Sequence, residues 1–393
     1  MSLDSGLVRR LGAQRQQNLL RKLRRVDSPQ SPRIQIDGKK YLNFSSNDYL
    51  GLANHPALKE AAVHAVKKFG AGSGASRLVC GSLAPFHKLE SALARFKKSD
   101  AALTFSTGYA AALGAIGALL GRDDIIILDK LVHACIVDAA KLSGAKIRVF
   151  AHNDLDDLEH KLKWAADFLR SSANSRALIV TESIFSMDGD TAPLREIVAL
   201  KHKYGAWLMV DEAHATGIVG KNGRGLADHL GVGNQIEIQM GTLGKALGAS
   251  GGFICGSRPL IDLLINHARS FIFSTAPVPA AAAAATAALR LVQSADGAQL
   301  RQKLHANVSE FQSAIGGRQP NLSGAIIPVI LRDESKALKT AEKLLAQNIF
   351  VPAIRYPAVA RGAARLRVTL TAAHTSNDIS RLTGALKSLD TGL

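Results

Sequence analysis

Residues 207–214 read Trp207-Leu-Met-Val-Asp211-Glu-Ala-His214, and residues 242–252 read Thr242-Leu-Gly-Lys245-Ala-Leu-Gly248-Ala-Ser-Gly251-Gly252. An apolar run closed by an aspartate, then a glycine-rich loop carrying a lysine, is what strand ends of a parallel sheet look like, and ligands collect at such ends. Working outward, short apolar or β-branched runs at 101–106, 124–129, 147–152, 177–182, 207–211, 236–240 and 253–256 alternate with helical patterns. In one of these, 154–170, Leu155, Leu158, Leu162 and Leu169 recur at helical spacing. The alternation predicts an α/β fold, with a mostly parallel seven-stranded sheet covered by helices.

Beyond residue 276 the pattern changes to an alanine-rich helix, a helix over 293–315, a strand over 325–331, a helix over 334–347, a strand over 365–371 and a last helix from Ser376. This predicts a smaller α+β unit. The expected organisation is an N-terminal segment (1–50), a large domain (51–290), and a small C-terminal domain (291–393) packing with the N-terminal segment.

Composition narrows the function classes. With 47% hydrophobic and 21% charged residues, the 393-residue chain has the profile of a globular protein. The net charge of +17 raises nucleic-acid binding as an alternative. Against it, aromatics are only 5%, too few for stacking platforms, and the basic residues are scattered apart from Arg21–Arg25. A positive field also draws in anionic small molecules. Cys80, Cys135 and Cys255 lie far apart without CxxC spacing, so neither a disulfide framework nor a metal site is expected, and a reducing cytoplasm is. The basic N-terminus has no signal-peptide core; it reads as an amphipathic helix presenting Leu7, Leu11, Leu19 and Leu23, with a transit peptide as the alternative. The alanine-rich run 276–289 is shorter than the ~20 apolar residues of a membrane span, so none is expected.

Four stretches carry candidate chemistry. Lys245, among small residues just after a strand, can approach a planar aldehyde and form an imine with it; taken alone, a loop lysine is simply solvated. Asp211 ends an apolar strand where its carboxylate can pair with a cation such as a pyridinium nitrogen, and His214 can donate to a phenolate; a metal pair or a helix cap is the plainer alternative. Phe105-Ser-Thr-Gly108-Tyr109-Ala runs a strand into a helix through glycine, which offers backbone N–H groups to an anion, although such turns are common. His133 stands alone, and its own surroundings in sequence decide nothing.

Together with Glu182-Ser-Ile-Phe-Ser186-Met-Asp-Gly-Asp190, these stretches resemble the α-oxoamine synthase family of fold-type I pyridoxal-phosphate enzymes, the aspartate aminotransferase-like fold. The likeness runs from Asn43-Phe-Ser-Ser-Asn47-Asp-Tyr-Leu-Gly-Leu52, through Ala151-His-Asn-Asp154, to Arg365-Leu-Arg367-Val-Thr-Leu-Thr-Ala-Ala-His374. It implies a homodimer that condenses an amino acid with an acyl thioester and releases CO2. Within the family the pattern is most similar to the branch using L-alanine and pimeloyl-CoA or a pimeloyl-carrier protein. Glycine C-acetyltransferase shares the Thr242–Gly248 loop and is the alternative.

The resemblance implies a role for each matching residue. Lys245 bonds covalently to the pyridoxal phosphate aldehyde, and Asp211 holds its pyridine nitrogen. His214 and Ser186 lie near the ring oxygen, His133 stacks on the ring face, and Glu182 belongs to the same pocket. Gly108, Tyr109 and Thr242 match phosphate-holding positions, and Thr275 is lent to the phosphate across the dimer interface. Arg367 with Asn47 takes the substrate carboxylate, a fit for a planar guanidinium fork. Arg21 matches an acyl-substrate contact. One departure stands out: the family threonine that touches substrate corresponds to Ala358, so a side-chain hydrogen bond is lost there.

Overall fold

The computed structural model describes residues 2–170, 175–316, 324–389 and 391. The chain divides into two compact units, one of residues 48–186 and 190–302, the other of residues 1–47, 187–189 and 303–393.

The first unit is built on a sheet that, among the described residues, has seven strands in the order Ala101–Phe105, Gly252–Gly256, Ile238–Thr242, Trp207–Asp211, Ala177–Glu182, Ile125–Asp129, Lys146–Phe150. Gly252–Gly256 runs antiparallel to both neighbours and the other pairings are parallel. The strands start and stop within two residues of the expected runs. Alternate residues point to opposite faces. Leu103, Ile126, Leu128, Leu178, Val180, Met209, Ile238, Met240 and Ile254 therefore share one face, where they are buried with Ala111, Ala112, Ala115, Ile116, Ile136 and Ala139 from the helices Gly108–Leu119 and Ala134–Ser143. Small residues let the helix Gly108–Leu119 lie close to the sheet.

In the second unit, Arg33–Ile36, Lys39–Asn43 and Ile349–Phe350 form one three-stranded sheet, and Ile326–Arg332, Ala364–Thr369 and Ala353–Ile354 another. The helices Glu334–Ala346 and Ser376–Lys387 belong to the same unit. Thr375 and Asp378 close a reciprocal capping box at the start of the last helix. The N-terminal helix differs from expectation. It spans only Leu3–Gln16 and buries no residue. Asn18 then adopts a left-handed conformation (φ 55°), which asparagine tolerates, so Leu19 and Leu23 lie beyond the helix. Among the described residues no helix is long and apolar enough to cross a membrane.

Candidate active site

Three neighbouring strands end in polar residues, Glu182, Asp211 and Thr242. Each is an even number of residues from a core residue of its own strand (Val180, Met209, Met240) and so points to the same face of the sheet, the face that carries the helices after Thr107 and His133. Glu182 and Asp211 are direct register partners. Just past Thr242 the chain turns through Lys245, whose Nζ is 2.7 Å from His214 Nε2. On the far side of that imidazole, Nδ1 lies 2.6 Å from Tyr49 Oη. The lysine loop is seated tightly. Gly248 has φ +60°, and a Cβ there would come within 2.5 Å of the Leu52–Ala53 backbone, so only glycine fits.

Electrostatics perturb both buried acids. Burial pushes the Asp211 carboxyl up, while Lys245, the Ala213 N–H and His133 oppose the rise. Burial pushes Glu182 well above the carboxylate range, and the Asp211 charge adds to it. Two carboxylates this close do not both ionise readily. Both carboxyls are therefore held above the ordinary carboxylate range, Glu182 by burial and the Asp211 charge, Asp211 by burial against the pull of Lys245. Glu182 accepts the backbone N–H groups of His133 and Ser186, whereas its buried Oε1 has no hydrogen-bond partner. A site with two buried acids, a nearby amine and an orphaned polar atom suits a group with a cationic ring nitrogen and an aldehyde.

His133 caps the helix Ala134–Ser143, its Nδ1 accepting from the Cys135 N–H at 3.2 Å and lying 3.0 Å from Cys135 Sγ. Desolvation lowers its pKa, so the ring is neutral with its proton on Nε2. Burial pushes the Cys135 thiol up to about 12, leaving it protonated.

An anion seat lies alongside. Thr107 caps the helix Gly108–Leu119 by accepting from Ala110 N–H, and the first turn, Gly108 and Tyr109, offers backbone N–H groups at the positive end of the helix. A Cβ on Gly252 would come within 2.6 Å of the Thr107–Gly108 backbone, so the turn and the neighbouring strand are in direct contact. Thr242 Oγ1 donates to Gly251 O at 3.0 Å and accepts from Gly244 N–H. Tyr109 Oη donates to Asp138 Oδ2 at 2.5 Å.

The remaining candidates fall as follows. Ser186 is buried, and its N–H is held by Glu182. Thr275 is exposed, its backbone bridged to Ser76. In the other unit, Arg367 is buried and donates from one guanidinium nitrogen to Asn47 Oδ1 and Thr369 Oγ1, each at 3.1 Å. Ala358 is exposed in a turn. Arg21 lines, with Lys22, Arg24 and Arg355, a basic cleft of about 810 Å³ that includes Leu338, Phe350 and Val351. Sequence reading missed Tyr49 and Cys135. Tyr49 lies inside the Asn43–Leu52 stretch already singled out, and Cys135 lies two residues from His133, the usual spacing of a cap.

A model of the aminotransferase class I and II family matches residues 39–386. The chain is 47% identical over 371 residues to an 8-amino-7-oxononanoate synthase of Geotalea daltonii, covering 94% of this chain and 93% of that one. Among solved structures, a serine palmitoyltransferase from S. paucimobilis with bound PLP and myriocin superposes with a TM-score of 0.90 at 31% identity, covering 100% of this chain and 99% of that one. An 8-amino-7-oxononanoate synthase from Francisella tularensis gives 0.73 at 28%, covering 89% of this chain and 96% of that one.

Proposed function

The chain belongs to the aminotransferase class I and II family, and from that premise we propose that it is a pyridoxal-phosphate-dependent acyltransferase making 8-amino-7-oxononanoate for biotin synthesis. L-Alanine and pimeloyl-CoA, or a pimeloyl-carrier protein, are its substrates; the free thiol and CO2 are the other products. The observation that carries the reading is the Lys245 amine held 2.7 Å from His214, on a loop that follows the strand next to the one ending in Asp211.

The residues fit the cofactor. Lys245 would hold its aldehyde carbon, Asp211 its ring nitrogen, His214 and Ser186 its ring oxygen, and His133 its ring face. The N–H groups of Gly108 and Tyr109, with Thr242, would hold its phosphate. When bound, the cofactor supplies an electron sink for negative charge developing beside the substrate nitrogen.

The chain's own groups do the rest. Lys245 Nζ takes the α-proton of L-alanine and later returns a proton to the product carbon. His214, tied to Tyr49, sets where that amine sits. Arg367 with Asn47 takes the amino-acid carboxylate; its guanidinium is already ordered by Asn47 and Thr369, which limits the entropy lost on binding. A new C–C bond forms between the alanine α-carbon and the thioester carbonyl, the thiolate leaves, and the carboxylate departs as CO2. Arg21 in its basic cleft is the contact proposed for the acyl substrate. Ala358 makes no side-chain hydrogen bond to it.

We further read the protein as a cytoplasmic homodimer in which Thr275 reaches the partner's cofactor phosphate. Support comes from exposed apolar side chains beside the Ser76–Thr275 bridge, namely Leu78, Val79, Phe273 and Val278, a patch of the kind that marks interfaces. Three free cysteines suit a reducing compartment.

The test is borohydride reduction with peptide mapping, then a panel of alanine and glycine against acyl-CoA chain lengths with thiol and CO2 release followed together. A pyridoxyl adduct on Lys245 and preference for alanine with the pimeloyl donor are expected. No adduct on Lys245, or preference for glycine with acetyl-CoA, overturns the reading.

A further inference from the structure

The stretch Ala151–Asp154 marks the family resemblance, yet none of the roles above uses it. In the structure its histidine is the centre of a polar cluster outside the cofactor-contacting set. His152 Nδ1 lies 3.0 Å from Asp129 Oδ1, and Nε2 lies 2.7 Å from Asp190 Oδ2. A neutral imidazole has one N–H and can donate to only one carboxylate, so two carboxylate partners call for the protonated ring. Consistent with this, although burial acts against the charge, the two aspartates hold the His152 pKa up at about 10. The ring edge also packs on Phe185, with centroids 4.3 Å apart at 88°.

The partners belong to two different loops. Asp129 ends the strand Ile125–Asp129 and organises the turn that follows, accepting from Leu131 N–H at 2.7 Å; that turn leads to His133. Asp129 also accepts from Asn153 N–H at 2.9 Å. Asp190 closes the other loop, its carbonyl accepting from Phe185 N–H at 3.0 Å, and this loop carries Ser186. Asn153 Nδ2 donates to Asp190 Oδ2 at 3.0 Å and to the Thr191 carbonyl at 3.2 Å. From the inner side, Glu182 gathers the N–H groups of His133 and Ser186. The two loops are therefore clamped twice, by Glu182 within the site and by His152 outside it.

We propose that His152 is a positioning residue for the cofactor seat: by bridging Asp129 and Asp190 it fixes the spacing between the loops that present His133 and Ser186. The inference rests on the cofactor reading above. It assigns His152 no contact with cofactor or substrate. Asp129 and Asp190 are the charged groups facing the ring. Because Asp190 is 42% exposed, removing its charge leaves the core intact.

The experiment measures PLP affinity by absorbance titration, together with the thermal midpoint of the PLP-free protein, for wild type, His152→Asn, Asp190→Asn and the double variant. His152→Asn is expected to weaken PLP at least tenfold, about 1.4 kcal/mol, and to shift the visible absorption of bound PLP. Asp190→Asn is expected to weaken it at least threefold in a PLP-free protein that still unfolds cooperatively, with a midpoint lowered by loss of the His152 charge pair. In the double variant Asp190→Asn adds nothing further, because the bridge is already gone. Either single variant, folded, binding PLP within threefold of wild type overturns the role of His152, as does additivity in the double variant. Should His152→Asn fail to fold, Asp190→Asn alone decides by the same threefold limit. A wild-type chain that takes up no PLP overturns the cofactor reading and this proposal with it.

Discussion

Replacing Tyr49 by phenylalanine removes one oxygen from a side chain that is 0% exposed, so the ring and its packing remain. What goes is the 2.6 Å hydrogen bond to His214 Nδ1, at the opposite side of the imidazole from Lys245. A phenol both donates and accepts. It can therefore serve His214 in either tautomer, whether Lys245 is giving a hydrogen to Nε2 or receiving one. Phenylalanine serves neither. Loss of a buried hydrogen bond costs about 1–3 kcal/mol, the upper end applying when the partner's needs go unmet, which is roughly a 5- to 150-fold loss in rate. Because Tyr49 is argued to act through His214 and to touch no substrate, the loss should fall on kcat and leave KM within about twofold. The assay is thiol release under saturating alanine and pimeloyl-CoA for Tyr49→Phe, His214→Ala and the double variant. If the tyrosine acts through the histidine, the double variant is no slower than His214→Ala. Activity of Tyr49→Phe within twofold of wild type refutes the reasoning, and so do single effects that simply multiply.

Asp211→Asn leaves the shape of the site and removes the buried charge that would face the cofactor ring; breaking such a pair costs about 3–5 kcal/mol, so kcat measured by thiol release should fall by at least roughly 10²-fold. Glu182→Gln should bind PLP within about threefold of wild type, since an amide keeps the shape of the acid, whose charged form burial disfavours, and can still accept from His133 and Ser186 N–H groups. Glu182→Ala strands both N–H groups at about 1–3 kcal/mol each and should weaken PLP at least tenfold by absorbance titration. His374 is buried between a donor, Thr371 N–H at 3.0 Å, and an acceptor, the Asn43 carbonyl at 2.9 Å, and its pKa is lowered to about 4. Its folded pKa lies below the unfolded 6.5, so the neutral ring stabilises the fold above pH 6.5, and that contribution is lost as pH falls toward 4. Denaturant unfolding should show a loss of about 3 kcal/mol over that window, absent in His374→Asn.

Much of this site was legible because each piece is local. An apolar run marks a strand, the polar residue that ends it marks a carboxyl end, and glycine marks the turn. Thus Asp211 and Lys245 could be singled out before any geometry, whereas Glu182 and Thr242 entered only through the family resemblance. The first helix was not, since Leu7 and Leu11 continue in phase to Leu19 only if the chain stays helical through Asn18, which it leaves at φ 55°. Nor was Tyr49, whose partner lies 165 positions away; no periodicity carries information over that span. The charge states lay further out of reach. That the Asp211 charge helps push Glu182 upward follows from their being register partners on parallel strands. Side chains alternate with a period of two, so a one-residue slip would turn one acid to the opposite face and leave the other as an ordinary buried carboxylate. The mutual perturbation of the two acids is therefore a property of strand register, and register is set by the apolar residues behind it: Leu178, Val180, Met209, Ile238 and Met240 must all reach the core together. The chemistry at the strand ends is held in phase by side chains that take no part in it.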